Sequence, residues 1–140
     1  MKDQFYRTGM RDQMPSKTTS GAPEGIRESM KKATTEMLVL FLLKQKSMYT
    51  YEMMSTVEKL SEGQITFNTL YQAIYRLQGF RYIEESRKVM SEGNRVRIYY
   101  AITGSGRAYL AALIENYYVM TGAIEKILSL DGKICGKVEQ

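Results

Sequence analysis

The 140-residue chain contains no histidine. That removes the usual general acid or base near neutral pH and the commonest metal ligand. It holds one cysteine, Cys135, in the polar run KICGKV. A lone thiol forms no internal disulfide, and without histidine it makes no zinc site. No run of apolar residues reaches the roughly 18 that a membrane span needs, so no membrane is expected as a partner. The opening MKDQFYRTGMRDQM lacks the apolar core of a signal peptide, which makes a cytoplasmic location the expectation. Nucleophile elbow, glycine-rich phosphate loop and dinucleotide fingerprint are all missing. An enzyme is therefore the least supported class, and neither cofactor nor metal is expected.

What is present is ordinary for a globular chain: 44% hydrophobic and 25% charged residues, enough to bury one core. The balance is basic, with a net charge of +5. A basic balance favours a polyanionic partner.

The most informative stretch is Thr66–Gln78, TFNTLYQAIYRLQ. Leu70, Ile74 and Leu77 recur at the spacing of one helical face. Asn68, Thr69, Gln72, Tyr75 and Arg76 fall on the other side. These are groups short enough to reach base edges, plus one cation for phosphate. Thr66 is the expected N-cap, and Gly79 marks the stop. A helix of about 12 residues spans roughly 18 Å, a length that suits a DNA major groove. The alternative on this stretch alone is a plain amphipathic surface helix.

Residues 1–22 are polar and broken by glycine and proline, and read as a flexible basic arm. Such an arm either lies along DNA or is simply solvated. From Pro23, EGIRESMKK makes a short helical lead-in. A first core helix is expected over Thr34–Lys44, opened by a Thr cap and apolar almost all round. The segment YTYEMMSTVEKL gives a second helix, with Tyr51, Met54, Val57 and Leu60 near one face and its end before Gly63. Three helices joined by short turns form the minimal helix-turn-helix reader of DNA.

After Gly79 the period changes to two. RYIEESRKV and RVRIYYAI read as strands, with Val96, Ile98, Tyr100 and Ile102 on one face of the second. Between them, Gly93 and Asn94 supply the positive φ of a hairpin loop. This hairpin is a wing, with Arg87, Lys88, Arg95 and Arg97 expected as a cationic face. Glu84, Glu85 and Glu92 partly offset it, and a solvated hairpin of mixed charge is the alternative.

Thr103 should cap a long helix over Gly104–Leu128. Two stripes step 4-3-4-3-4: Tyr109, Leu113, Asn116, Met120, Ala123, Ile127, and Leu110, Ile114, Tyr117, Thr121, Ile124, Leu128. At about 37 Å the helix outruns so small a domain. One stripe is expected to pack at home and the other against a second copy, giving a homodimer through the C-terminal helix. Packing wholly within the chain is the alternative. Asn116 could set the pairing register. Phe41, Tyr109, Leu113, Asn116, Tyr117, Met120, Ile124 and Ile127 then outline either a dimer core or a cleft for a hydrophobic or phenolic small-molecule effector. Residues 129–140 form a tail.

The order and local wording resemble the PadR family of winged-helix transcriptional regulators from about Glu36 to Leu128. The resemblance rests on EMLVLFLL, Tyr49 with Tyr51-Glu52, Thr69-Leu70-Tyr71, Arg76-Leu77, Tyr82-Ile83, Tyr99-Tyr100, Thr103 and Gly106-Arg107. It implies a dimeric DNA-binding repressor, often relieved by a small molecule. It also implies operator contacts from Asn68, Thr69, Tyr71 and Arg76, from the wing, and from Tyr51 near the backbone. Departures are Thr50 between the two tyrosines, Thr66-Phe67 for a usual Ser-Pro, and Arg81 where a glycine usually precedes the wing. Gly79 is expected to take over that last turn.

The expected fold class is mainly α with a small β-hairpin. A winged helix-turn-helix at 23–103 precedes a dimerisation helix at 104–128. The function expected is sequence-specific binding of a double-stranded DNA operator. A winged-helix protein-interaction module is the rival.

Overall fold

The computed structural model describes residues 21–134. The arm at 1–22 therefore falls almost wholly outside the described residues, and so does Cys135. Four helices and one hairpin follow in order: α1 (Glu24–Gln45), α2 (Thr50–Leu60), α3 (Leu70–Gly79), β1 (Ile83–Met90), β2 (Val96–Ile102) and α4 (Gly104–Leu128). The fold class matches the expectation from sequence. No helix of the described residues is long and apolar enough to cross a membrane.

The lead-in and the first core helix are one helix, contrary to the expected break at Thr34. The Thr34 hydroxyl donates to the Met30 carbonyl at 2.7 Å, and that of Thr35 to Lys31 at 2.7 Å. Each hydroxyl is thus satisfied one turn back along the helix, so neither has to cap a new one. Val39, Leu40, Leu42 and Leu43 are buried, while Phe41 points outward.

The core closes around that apolar block. Met53 and Val57 of α2, Leu70, Ala73, Ile74 and Leu77 of α3, Ile83, Tyr100 and Leu110 meet it. In α2 the buried face is Met53 and Val57; Tyr51 and Leu60, expected beside Val57, are exposed. Three-residue steps drift around a helix of 3.6 residues per turn, so the ends of that row turn to solvent.

Both α2 and α3 end in a Schellman turn. In α2, Gly63 N–H reaches Glu58 O at 2.8 Å and Glu62 takes φ +54. In α3, Tyr82 N–H reaches Leu77 O at 2.9 Å. Here Gly79 does not take over the turn: it is the last residue of the helix, and Arg81 itself adopts φ +63. The turn's geometry places the left-handed residue two positions beyond the helix end, where this chain carries arginine.

The strands pair antiparallel from Ile83↔Ile102 to Met90↔Val96, with a bulge between Glu85 and Arg87. Gly93 and Asn94 have φ +82 and +60, as a tight hairpin loop demands. Met48 bridges Tyr100 on the free side of β2, tying the α1–α2 connection to the wing. The Thr103 hydroxyl accepts from Gly106 N–H at 3.0 Å and caps α4 as expected. Gly106 is buried so tightly that a Cβ there would stand 2.1 Å from the Tyr82 carbonyl oxygen.

The two stripes of α4 divide by length rather than by side. Gly106 and Leu110 are buried; Tyr109, Leu113, Ile114, Tyr117 and Thr121 are half-buried. Met120, Ile124, Ile127 and Leu128 are exposed. The small body covers only the first half of so long a helix, so both stripes run bare beyond it.

Candidate nucleic-acid interface

Burial of Leu70, Ala73, Ile74 and Leu77 orients α3. With that face inward, Tyr71, Gln72, Tyr75 and Arg76 turn to solvent, and Asn68 stands exposed just before them. Tyr75 is 79% exposed and Tyr71 66%, far more than a phenol packed for stability would be. Thr66 lies outside the helix, so it is not the N-cap; Thr69 holds that position. Phe67 is buried at the entry, which pulls the chain inward and delays the first helical turn to Leu70. The Thr69 side chain makes no capping bond, so the N–H groups of the first turn lack that internal acceptor.

Beside this face runs an open groove of about 730 Å³ between the start of α2, the start of α3 and the wing. Tyr51, Tyr71, Arg95 and Arg97 line it, with Thr50 among them. The Tyr71 hydroxyl lies 3.2 Å from the Thr50 hydroxyl, which steadies the phenol at the groove wall. Tyr51 is 66% exposed at its rim.

The wing's cations do not form one face. Arg87 pairs with Tyr99, and Val89 with Arg97, so the two arginines share a side. Lys88 pairs with Ile98 and points the other way, because neighbouring strand residues alternate. On the arginine side an alternating stack forms. The Arg87 guanidinium sits 3.9 Å over the Tyr99 ring, Tyr99 meets Tyr49 edge-on at 5.2 Å, and Arg97 lies 4.6 Å over Tyr49. Exposed contacts of this kind are worth about 0.5–1 kcal/mol each, enough to bias where the guanidinium groups stand. Tyr49 thus orients the wing. In the sequence Tyr49 carries only the family resemblance, and Thr50 only a departure from it.

A family model described as Transcriptional regulator PadR-like family matches residues 39–112, just over half of the chain. The chain belongs to the PadR-like family of transcriptional regulators. An uncharacterised protein of Lysinibacillus sphaericus is 30% identical over 94 residues, which is 66% of this chain and 85% of that protein. A transcriptional regulator from Clostridium thermocellum superposes with a TM-score of 0.62 at 25% identity, covering 70% of this chain and 96% of the other. A PadR-like transcriptional regulator from Bacillus cereus has the same fold, with a TM-score of 0.59 at 23% identity over 71% and 96% of the two chains.

Two polar residues at the recognition face of this PadR-like chain are already engaged. The Arg76 Nε donates to Glu36 Oε2 at 2.7 Å, so this cation leans back onto α1. Asn68 Nδ2 approaches Glu28 Oε1 at 3.4 Å. Neither pairing is legible in the sequence, since each carboxylate lies 40 residues before its partner with no local pattern to link them.

The residues expected to outline an effector cleft are dispersed within one chain. The Tyr109 ring stacks on Tyr82 at 4.3 Å, and its hydroxyl lies 3.5 Å from Glu36 Oε1. Burial, then the Glu36 charge, holds the Tyr109 hydroxyl above its ordinary pKa of 10.0. Leu113 is half-buried, whereas Phe41, Met120, Ile124 and Ile127 are exposed. Asn116 is exposed and donates to the Ala112 carbonyl of its own helix at 2.8 Å. Tyr117 alone of the eight lines a second groove, about 250 Å³, with Met30, Met37, Leu38 and Ile65.

Proposed function

We propose that this PadR-like regulator is a cytoplasmic, sequence-specific repressor that binds a pseudo-palindromic operator as a homodimer. The observation that carries the reading is the open groove where the Tyr51 and Tyr71 phenols stand with Arg95 and Arg97 beside the bare face of α3. Asn68, Thr69 and Gln72 have the donors and acceptors to read base edges. Tyr51, Tyr71 and Tyr75 offer hydroxyls to phosphates, with Thr66 at the helix entry. Arg87 and Arg97 supply phosphate cations from one side of the wing, Lys88 from the other, and Arg95 from the end of the hairpin loop.

Pairing through α4 is supported by the exposed Met120, Ile124, Ile127 and Leu128, which no described residue of their own chain covers. A second copy would bury them and set two recognition helices about 34–36 Å apart. A hydrophobic or phenolic effector that relieves repression fits between α1 and α4, where the groove at Tyr117 is lined by Met30, Met37, Leu38 and Ile65. Exposed Tyr75 and Phe80 favour a second reading, a protein-interaction module that does not bind DNA.

A gel shift against DNA from upstream of the protein's own gene separates these readings. A discrete retarded band that survives excess unrelated duplex supports the repressor; no band at any salt concentration supports the module. Adding hydrophobic phenols should then release the DNA and change tyrosine fluorescence. The absence of both changes would rule out effector relief.

A further inference from the structure

We infer that Glu36 is a positioning residue that holds Arg76 off the DNA and ties the recognition helix to α4. The inference deepens the DNA-binding reading above and rests on it. One Glu36 carboxylate serves two helices at once. Its Oε2 accepts from Arg76 Nε of α3 at 2.7 Å, and its Oε1 lies 3.5 Å from the Tyr109 hydroxyl of α4. Tyr109 in turn stacks at 4.3 Å on Tyr82, the residue that leads into the wing. A single side chain of α1 therefore contacts the reading element and the proposed pairing element, and reaches the root of the wing through one ring.

Arg76 lies on the exposed side of α3, so its sequence position alone would make it a phosphate contact. The ion pair changes its role. A guanidinium already held by a carboxylate releases no counterion when DNA arrives, since its charge is compensated within the protein. The carboxylate also repels phosphate, which discourages indiscriminate binding along this flank. Eight residues earlier along each segment, Glu28 of α1 and Asn68, just ahead of α3, approach each other more loosely at 3.4 Å. Glu28 is itself paired with Lys31 at 3.2 Å, so Glu36 is the carboxylate of α1 that acts on the recognition helix. Tyr109 makes the brace sensitive to where α4 lies, because any rotation of α4 about its axis carries the phenol away from Glu36.

The test is the salt dependence of duplex binding by full-length protein, read by fluorescence anisotropy, for wild type, Glu36→Gln, Arg76→Gln and the double variant. Each phosphate-neutralising cation contributes about 0.9 to the slope of log K against log salt. Glu36→Gln should free Arg76 and steepen the slope by about 0.9 per bound subunit, with a smaller operator-to-random preference. Arg76→Gln should leave the slope unchanged, and the double variant should return it to the wild-type value. A role confined to stability would leave all four slopes equal and would overturn the inference. So would a shallower slope for Arg76→Gln, which would make Arg76 a phosphate contact. If wild type binds no duplex, the repressor reading fails on its own. The brace is then read from urea midpoints of the same four proteins, where additive shifts overturn it and non-additive shifts support it.

Discussion

Gly106→Ala should destabilise the protein by about 2–3 kcal/mol, although alanine is the better helix former by about 1 kcal/mol. The reason is one close approach. An alanine Cβ at this position would stand 2.1 Å from the Tyr82 carbonyl oxygen and 2.9 Å from Ile102 Cγ1, where ordinary contact begins near 3.4 Å. Both neighbours are anchored: the Tyr82 carbonyl accepts from Thr103 N–H at 3.0 Å, and Ile102 is held in β2. Relief therefore requires the first turn of α4 to back away by more than an ångström. That movement breaks the Thr103–Tyr82 bond and the Thr103 hydroxyl bond to the Arg81 carbonyl at 2.8 Å, each worth about 1 kcal/mol net. It also disturbs the Thr103 cap, worth about another 1 kcal/mol, and separates Tyr109 from Tyr82. The gain in helix propensity offsets only part of this. Urea unfolding followed by far-ultraviolet circular dichroism, at fixed protein concentration because subunit pairing would add stability, measures the difference. A midpoint equal to or above wild type would refute the reasoning, since propensity would then outweigh a clash that does not exist.

Further consequences follow from the same geometry. Arg81→Gly should stabilise by about 0.5–1 kcal/mol, because φ +63 costs an L residue strain that glycine avoids; a lower urea midpoint would contradict this. Ile124→Glu should shift the protein to monomer in sedimentation velocity and weaken operator binding while leaving its circular dichroism unchanged; an unchanged sedimentation coefficient would place pairing elsewhere. On pH, burial is the largest cause raising the Tyr100 and Tyr109 hydroxyls above 10.0. A raised folded-state value means that the stabilisation is intact below pH 10 and is lost as pH climbs through the folded value. Thermal melts should therefore hold steady from about pH 7 to 9 and fall beyond 10. A sharp fall below pH 9 would contradict the assignment.

The parts of this molecule written in local pattern were legible in its sequence. The bounds of α4 follow from Thr103 and a heptad-like period interrupted only at Asn116 and Thr121. The hairpin loop follows from Gly93-Asn94, and the inward face of α3 from Leu70, Ile74 and Leu77. What was not legible depends on partners distant in the chain or on geometry at a turn. Thr34 looked like a cap because a Thr before an acidic first turn usually is one, yet its hydroxyl is satisfied within a continuous helix. Arg81 rather than Gly79 takes the left-handed position because the Schellman turn fixes where that residue falls. Lys88 adjoins Arg87 in the sequence, but the strand's alternation sends it to the other side. The engagement of Arg76 by Glu36 joins residues 40 positions apart, and no periodicity announces it.

In the proposed complex the bare side of α3 and its entry at Asn68 read DNA sequence while the wing grips phosphate. Fluorescence anisotropy with operator and scrambled duplexes, comparing wild type with Asn68→Ala and Arg97→Ala, tests it most directly. Asn68→Ala should lose about 1–3 kcal/mol on the operator and almost nothing on the scrambled duplex. Arg97→Ala should weaken both alike and flatten the salt slope by about 0.9 per subunit. Equal losses on both duplexes for Asn68→Ala, or an unchanged salt slope for Arg97→Ala, would contradict it.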